Sequence, residues 1–348
     1  MIAPLLRRSR QDSRCPLPGP EAPSPDDQRW LDAAAALAAR AVPMSRPNPA
    51  VGAIVVKQGR VIGRGWTQPG GRPHAEAVAL AQAGDTARGG TLYVTLEPCA
   101  HVSARGPACA DLVAASGLAR VVTGCEDPDP RTAGRGLARI REAGIAAELI
   151  ESPTSRASLS GYLSHARLGR PHVTLKLATS LDGCIATASD ESQWITGEPA
   201  RAHAHAIRAR MDAILVGGET LRADAPRLDT RLPGLEQRSP EPWVLTRGAA
   251  PEGWRPLPSP AAIAEMADTQ YLLIEGGAGA ASAFLAADLV DTLLLYRAPI
   301  LIGGGKPGIG DIGLTSLDAA HGHWVLKDRR QLGSDSLEVY ERTSCSPA

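Results

Sequence analysis

Pro73-His74-Ala75-Glu76, followed by Thr95-Leu96-Glu97-Pro98-Cys99 and then by Cys109, is the stretch whose reading decides the fold. It offers three soft or borderline metal ligands, His74, Cys99 and Cys109, and one carboxylate that need not bind metal. A structural zinc site closes its tetrahedron with four protein ligands, whereas a catalytic one keeps a position open for water. Zinc lowers the pKa of water enough to make a nucleophile near neutral pH, suited to attack on the amidine-like carbon of a nucleobase. Glu76 stands two residues past His74, at the start of an apolar segment over 75–83 that reads as a helix. Side chains at that spacing diverge on a helix, so Glu76 is left to move protons from water to ring nitrogen and leaving amine. The inventory describes hydrolytic deamination.

Neither half of the pattern is strong alone. His-x-Glu is common, and Pro-Cys at a strand end is most often a small buried hydrophobe. Their order on the elements is what carries weight: strand Gly52–Lys57, return strand 60–65, a helix from His74, strand 91–95, then Pro-Cys. Glu97 reads as a structural carboxylate. A helix from Asp26 through the alanine-rich run at 31–41, stopped by Pro43, precedes these elements. A strand at 121–124, a helix at 136–143 and a strand at 146–150 follow, which completes a three-layer α/β pattern.

Outward from this region, 348 residues suggest two domains of ordinary size. The 37 basic and 37 acidic residues cancel, so no global field draws the chain to nucleic acid or an anionic membrane. Small-molecule substrates are favoured. No apolar run approaches a membrane span. Cys15, Cys125, Cys184 and Cys345 show no paired spacing, which suits a reducing, cytoplasmic location with each thiol inert or at the surface. Residues 1–27 are Pro- and Arg-rich and read as a disordered tail. Leu5-Leu6-Arg7-Arg8 has its charge after the apolar stretch, unlike a secretion signal. The expected division is a tail at 1–27, a first domain at 28–150, a helical connector at 151–170 and a second domain at 171–343.

That second domain opens on an apolar strand at 172–177 and a turn at Ser180-Leu181-Asp182-Gly183. Strands at 213–216, 243–245 and 271–274 follow. The last runs into Glu275-Gly276-Gly277-Ala278-Gly279-Ala280, a junction whose backbone amides suit a pyrophosphate. Full Rossmann spacing and an acidic ribose partner are missing, which implies a different nucleotide fold.

The first-domain motifs resemble the cytidine deaminase superfamily, whose pattern pairs His-x-Glu with Pro-Cys-x-x-Cys. Here nine residues, 100–108, separate the two cysteines. That long loop, with Arg46-Pro47-Asn48-Pro49-Ala50-Val51-Gly52 upstream and Cys125-Glu126-Asp127-Pro128-Asp129-Pro130 downstream, is similar to the deaminase half of the bifunctional riboflavin-biosynthesis deaminase/reductase family. The loop itself, Ala100-His101-Val102-Ser103-Ala104-Arg105-Gly106-Pro107-Ala108, departs from the family wording and is one residue longer, with Arg105 the match for the family arginine.

The second half resembles the reductase of the same family through three stretches: Leu175-Lys176-Leu177-Ala178-Thr179-Ser180-Leu181-Asp182-Gly183, Glu191-Ser192-Gln193-Trp194-Ile195-Thr196-Gly197, and Asp212-Ala213-Ile214-Leu215-Val216-Gly217 with Thr220-Leu221-Arg222-Ala223-Asp224. The resemblance implies an N-terminal cytidine-deaminase-like three-layer α/β domain and a C-terminal dihydrofolate-reductase-like α/β domain, with Zn2+ and NADPH as cofactors. Contacts to NADPH would come from Ala178, Trp194, Thr220, Asp224, Gly277, Ala278, Gly279, Ala280, Ala281 and Ser282. Substrate contacts would come from Asn48, Lys176, Ser192, Arg208, Leu228, Arg231 and Glu275. Guanidinium forks such as Arg208 and Arg231 suit a ribose phosphate, and Lys176 suits a developing oxyanion. The implied reactions are deamination of 2,5-diamino-6-ribosylamino-4(3H)-pyrimidinone 5′-phosphate and NADPH-dependent reduction of the ribosyl group to ribityl, in a homo-oligomer built through the reductase domain. Ala225, Cys184 and Thr246-Arg247 depart from the family pattern and bear on affinity, with Arg247 an alternative partner for the 2′-phosphate of NADPH.

Two rivals stand beside this. A nucleic-acid base deaminase would want a basic, aromatic-bearing surface, and the chain has only six Trp, five Tyr and one Phe. A zinc-stabilised, non-catalytic binding module would survive alanine at Glu76, whereas a deaminase would lose turnover and keep its metal.

Overall fold

A computed structural model describes residues 24–101 and 103–343. The tail expected at 1–27 therefore lies outside the described residues up to 23, as do Cys15 and Cys345. Residues 25–27 already belong to the first helix, α1 (Pro25–Ala38), which starts on Pro at its first turn with the Ser24 hydroxyl accepting from the Asp27 amide.

The first half then runs β1 (Gly52–Lys57), β2 (Arg60–Trp66), α2 (Ala75–Ala83), β3 (Thr91–Val94), α3 (Cys109–Ala114), β4 (Arg120–Thr123), α4 (Arg135–Glu142) and β5 (Ala146–Leu149). Its sheet has the order β2-β1-β3-β4-β5, antiparallel through β1 and parallel from β3 to β5. Alternation along β1 produces the layers: Ala53 and Val55 face α2, α3 and α4, while Ile54 and Val56 face Leu31 and Ala34 of α1. Gly65 lets α2 lie close on β2, because a Cβ there would sit 2.3 Å from the Ala75 carbonyl oxygen. The helix that carries Glu76 is therefore pressed onto the sheet.

Two connector helices, α5 (Pro153–Ser158) and α6 (Ser160–Leu168), send Leu159 and Leu163 into this same core. The connector thus packs with the first half.

The second half comprises β6 (His172–Thr179), β7 (Cys184–Ala186), α7 (Glu198–Arg208), β8 (Ala213–Gly217), α8 (Gly218–Asp224), β9 (Glu241–Leu245), β10 (Arg255–Leu257), β11 (Tyr271–Glu275), α9 (Ala278–Ala286), β12 (Thr292–Arg297), β13 (Lys306–Pro307), β14 (Trp324–Leu332) and β15 (Asp335–Arg342). Eight strands form one sheet in the order β10-β9-β8-β11-β6-β12-β15-β14, parallel up to β12 and antiparallel beyond. The run Ala213–Val216 of β8 and the run Leu272–Ile274 of β11 are apolar and buried without alternation, as both faces are covered. In the register of β6 and β11, Lys176 stands opposite Glu275 near the carboxyl ends, where open parallel sheets bind ligands.

The halves meet through Tyr271 at the start of β11. Its ring packs with Ala41, Val42 and Ala50, and lies so close to Gly161 that a Cβ there would be 2.5 Å from it. Cys125 and Cys184 are both buried. No helix among the described residues is long and apolar enough to cross a membrane.

Candidate active sites

His74 occupies the N-cap position of α2, with extended backbone, and uses its side chain for something other than capping. Its Nδ1 lies 3.6 Å from Cys99 Sγ and 3.3 Å from Cys109 Sγ. Cys99 comes from the loop after β3, and Cys109 is the first residue of α3, its amide donating to Cys99 Sγ at 3.3 Å. The three ligand atoms lie within 4.8 Å of one another. Hydrogen bonding from Cys109, aided by His74, favours the Cys99 thiolate and pulls it down to about 4 against the effect of burial. That thiolate, together with burial, pushes Cys109 up. A dication between the sulfurs removes the conflict.

Glu76 is buried, and its Oε2 has no hydrogen-bond partner among the described residues. Burial pushes its carboxyl up to about 7. A carboxyl that titrates near neutrality, with an unmet oxygen beside three N/S ligands, fits a catalytic zinc with one open position. Glu97, by contrast, accepts from the amides of Gly134 at 3.0 Å and Leu137 at 3.1 Å, and so holds the start of α4.

A cavity of about 160 Å³ opens beside Glu76, with Asn48, His101, Asp127, Arg131 and Tyr162 among its walls. Asn48 Nδ2 donates to the Gly71 carbonyl at 3.1 Å and lies 3.1 Å from His74 Nε2. Asp127 and Tyr162, joined by a 2.6 Å hydrogen bond, were missed in the sequence reading. The motif Cys125-Glu126-Asp127-Pro128 signalled the first of them, but nothing local marks a tyrosine on the connector. In the long loop, Arg105 is exposed and Nη2 donates to the Gly70 carbonyl at 2.5 Å.

The second site is a crevice of two cavities, about 450 and 480 Å³, sharing Lys176, Trp194, Arg208, Arg231 and Glu275. Ala178, Ser192, Thr220, Asp224, Leu228 and Gly277 line it as well. Arg208 is not the free fork that a phosphate would need. Its Nε and Nη2 bind Glu275 at 2.8 and 2.9 Å, and Nη1 donates to the Asp229 carbonyl at 3.0 Å. Lys176 Nζ lies 3.7 Å from the same carboxylate. Burial opposes the Glu275 charge, but Lys176 and Arg208 outweigh it and hold the carboxyl at about 2. Arg231 is half exposed, with its Nε 3.4 Å from Asp229 Oδ1, and Arg201, unforeseen from sequence, lies 4.9 Å over the ring of Trp194. Trp194 is 64% exposed, so it is no core residue.

Not all of the expected cofactor residues point inward. Gly277 caps α9, and its amide donates to Thr220 Oγ1 at 3.0 Å. Ala280 and Ala281 instead join the core, and Ser282 Oγ accepts from the Gly310 amide at 2.7 Å. Ala278 and Gly279 leave first-turn amides, which a helix start cannot satisfy internally. Leu228, with left-handed φ of 55°, buries its side chain against Ile214 and Val216. Arg247 is exposed on the loop after β9.

Two family models match the chain. "Cytidine and deoxycytidylate deaminase zinc-binding region" covers residues 24–125, and "RibD C-terminal domain" covers 171–255 and 257–337. The chain is 33% identical to the riboflavin biosynthesis protein RibD of Aquifex aeolicus over 91% of its own length and 98% of the relative's. To the protein of that name from Escherichia coli it is 36% identical, over 89% and 97%. Among solved structures, Acinetobacter baumannii RibD superposes with a TM-score of 0.79 at 34% identity, covering 91% of this chain and 99% of that one. A Thermotoga maritima diaminohydroxyphosphoribosylaminopyrimidine deaminase/5-amino-6-(5-phosphoribosylamino)uracil reductase does so with a TM-score of 0.80 at 28% identity, over 91% and 99%.

Proposed function

The chain belongs to the RibD family of bifunctional riboflavin-biosynthesis enzymes, and from that premise we propose how its own residues divide the two reactions. The first half is the zinc-dependent deaminase that releases the 2-amino group of 2,5-diamino-6-ribosylamino-4(3H)-pyrimidinone 5′-phosphate as ammonia. The second is the reductase that uses NADPH to convert the ribosyl group of the product to ribityl.

Zinc, when bound by His74, Cys99 and Cys109, supplies Lewis acidity that makes water nucleophilic near neutral pH. Glu76 takes one proton from the attacking water at a carboxylate oxygen and passes it to the ring nitrogen, then takes the second from the newly added hydroxyl and delivers it to the amine as the C–N bond breaks and ammonia leaves. The unmet Glu76 oxygen beside the ligand triad is the observation that carries this assignment. Asn48 lies against His74 and orients the pyrimidine edge.

In the reductase, NADPH supplies the hydride. Thr220, Asp224 and the first-turn amides of α9 would hold its phosphates and riboses, and Trp194 and Ala178 would line the remainder of its crevice. Lys176, held in place beside Glu275, donates to the sugar oxygen as the C1′–O bond opens. Arg231 and Arg201 take the substrate phosphate. Arg208 acts by fixing Glu275. Neutral overall charge supports small-molecule substrates rather than nucleic acid, and the free thiols of Cys125 and Cys184 support a reducing, cytoplasmic location. The exposed Val325 and Leu326 on edge strand β14 support a homo-oligomer through the reductase half.

The test is a zinc-replete assay with the diaminopyrimidinone phosphate, following ammonia and then NADPH oxidation. Ammonia release followed by NADPH consumption is expected, and absence of both overturns the assignment. Removing zinc with a chelator is expected to stop ammonia release while the same sample still oxidises NADPH when given deaminated product. Loss of both activities together would place the metal in the fold of the whole chain instead.

A further inference from the structure

We propose that Gln270, a residue of the reductase half, positions Asn48 in the deaminase site, so that the deaminase cavity is complete only with the reductase sheet docked against it. Gln270 immediately precedes β11 and is buried. Its main chain is tied into the amino-terminal ends of the central strands: the amide donates to Asp212 Oδ2 at 2.9 Å, and the carbonyl accepts from the His172 amide at 2.8 Å. Its side chain leaves the domain. Nε2 donates to the Pro47 carbonyl at 2.8 Å and lies 3.4 Å from the Asn48 carbonyl oxygen.

Asp212 strengthens the same grip. Its Oδ2 also accepts from the Tyr271 amide at 2.9 Å, while Oδ1, with no hydrogen-bond partner among the described residues, faces Arg46 Nε at 3.8 Å. Three successive residues, Arg46 to Asn48, are thus held from the amino ends of two central strands. Beyond them there is little slack. The Asn48 side chain is set between the Gly71 carbonyl and the His74 ring. Gly71 has a left-handed φ of 86°, and a Cβ there would lie 2.5 Å from Asn48 Cγ. A shift of the carbonyls that Gln270 holds therefore moves the amide beside the metal ligand. β11 touches both sites: Gln270 precedes one end, and Glu275 in the reductase crevice is the other.

This inference rests on the reading of Asn48 as a substrate contact, so the experiment separates the two. Full-length Gln270→Leu, Asn48→Ala and the double variant are compared by deaminase kcat and KM, by bound zinc, and by NADPH oxidation with deaminated product. Loss of one neutral hydrogen bond predicts a deaminase KM raised about tenfold in Q270L. Its zinc content and reductase KM should match the wild type, and the double variant should be no worse than N48A alone, since coupled residues do not add. Arg46→Ala, which loosens the same segment from the deaminase side, should shift KM in the same direction. Wild-type deaminase KM in Q270L and R46A with N48A impaired overturns the inference alone. N48A without effect overturns the Asn48 reading and the inference with it. Loss of both activities in Q270L would make Gln270 a residue of the fold and overturn the positioning role.

Discussion

Glu76→Gln is expected to lower deaminase kcat by about 10²–10⁴-fold, the range that a positioned general acid–base supplies. Bound zinc and the NADPH-dependent step should stay as in the wild type. The glutamine keeps shape and burial, so what disappears is the group that can hold a proton and give it up. Because burial places the carboxyl at about 7, both of its forms are accessible near neutrality. The measurement is ammonia release on metal-quantified protein. A zinc-replete E76Q that deaminates at the wild-type rate would remove Glu76 from the mechanism and favour a site where zinc has only a structural part.

The second large effect belongs to the reductase. Arg208→Ala is expected to cost about 3–5 kcal/mol of reductase-domain stability, because it leaves the buried Glu275 carboxylate with Lys176 alone, at 3.7 Å. Reductase activity should fall with it, as the Lys176 ammonium loses the partner geometry that places it at the crevice. Lysine at 208 should rescue little, since a point charge cannot reproduce the two-pronged contact at 2.8 and 2.9 Å. Acid titration reads the same network. The folded Glu275 carboxyl lies at about 2 against an ordinary value of 4.5, so its contribution is fully present above 4.5 and is lost as pH falls through about 2. Denaturant unfolding of R208A followed by loss of NADPH-oxidising activity and by tryptophan fluorescence, four of the six tryptophans (Trp194, Trp243, Trp254 and Trp324) lying in the reductase half, checks this; midpoints matching the wild type would show the pair to be dispensable.

These two sites were unequally legible in the sequence. His74, Glu76 and Cys109 were readable as metal-site candidates because they sit where α2 and α3 begin, and Cys99 because Glu-Pro-Cys follows a short apolar strand. The strand at Gly52–Lys57 has the expected bounds for the same reason. The commitment of Arg208 was not readable: its partner is 67 positions away at the end of β11, and an arginine on a helix looks the same in sequence whether paired or free. The apolar run at 277–282 could not reveal which of its residues face the crevice, since Ala280 and Ala281 serve the core at ordinary helical spacing. The boundary at residue 27 was placed too late. Ser24-Pro25 is a helix-start signal, and Asp27 is a buried anchor, accepting from Tyr93 Oη at 2.9 Å and Arg120 Nη1 at 2.7 Å.

The ring of Tyr271 against Ala41, Val42 and Ala50 bears on how such a chain can evolve. Gene fission in the connector would expose that apolar patch on one product and the tyrosine on the other. Each fragment would then need new polar substitutions to remain dispersed in water, and the deaminase fragment would also need a new donor for the Pro47 carbonyl. A point change at the start of β11 thus reaches both halves of the chain at once, and splitting the gene would first require that joint to be relaxed.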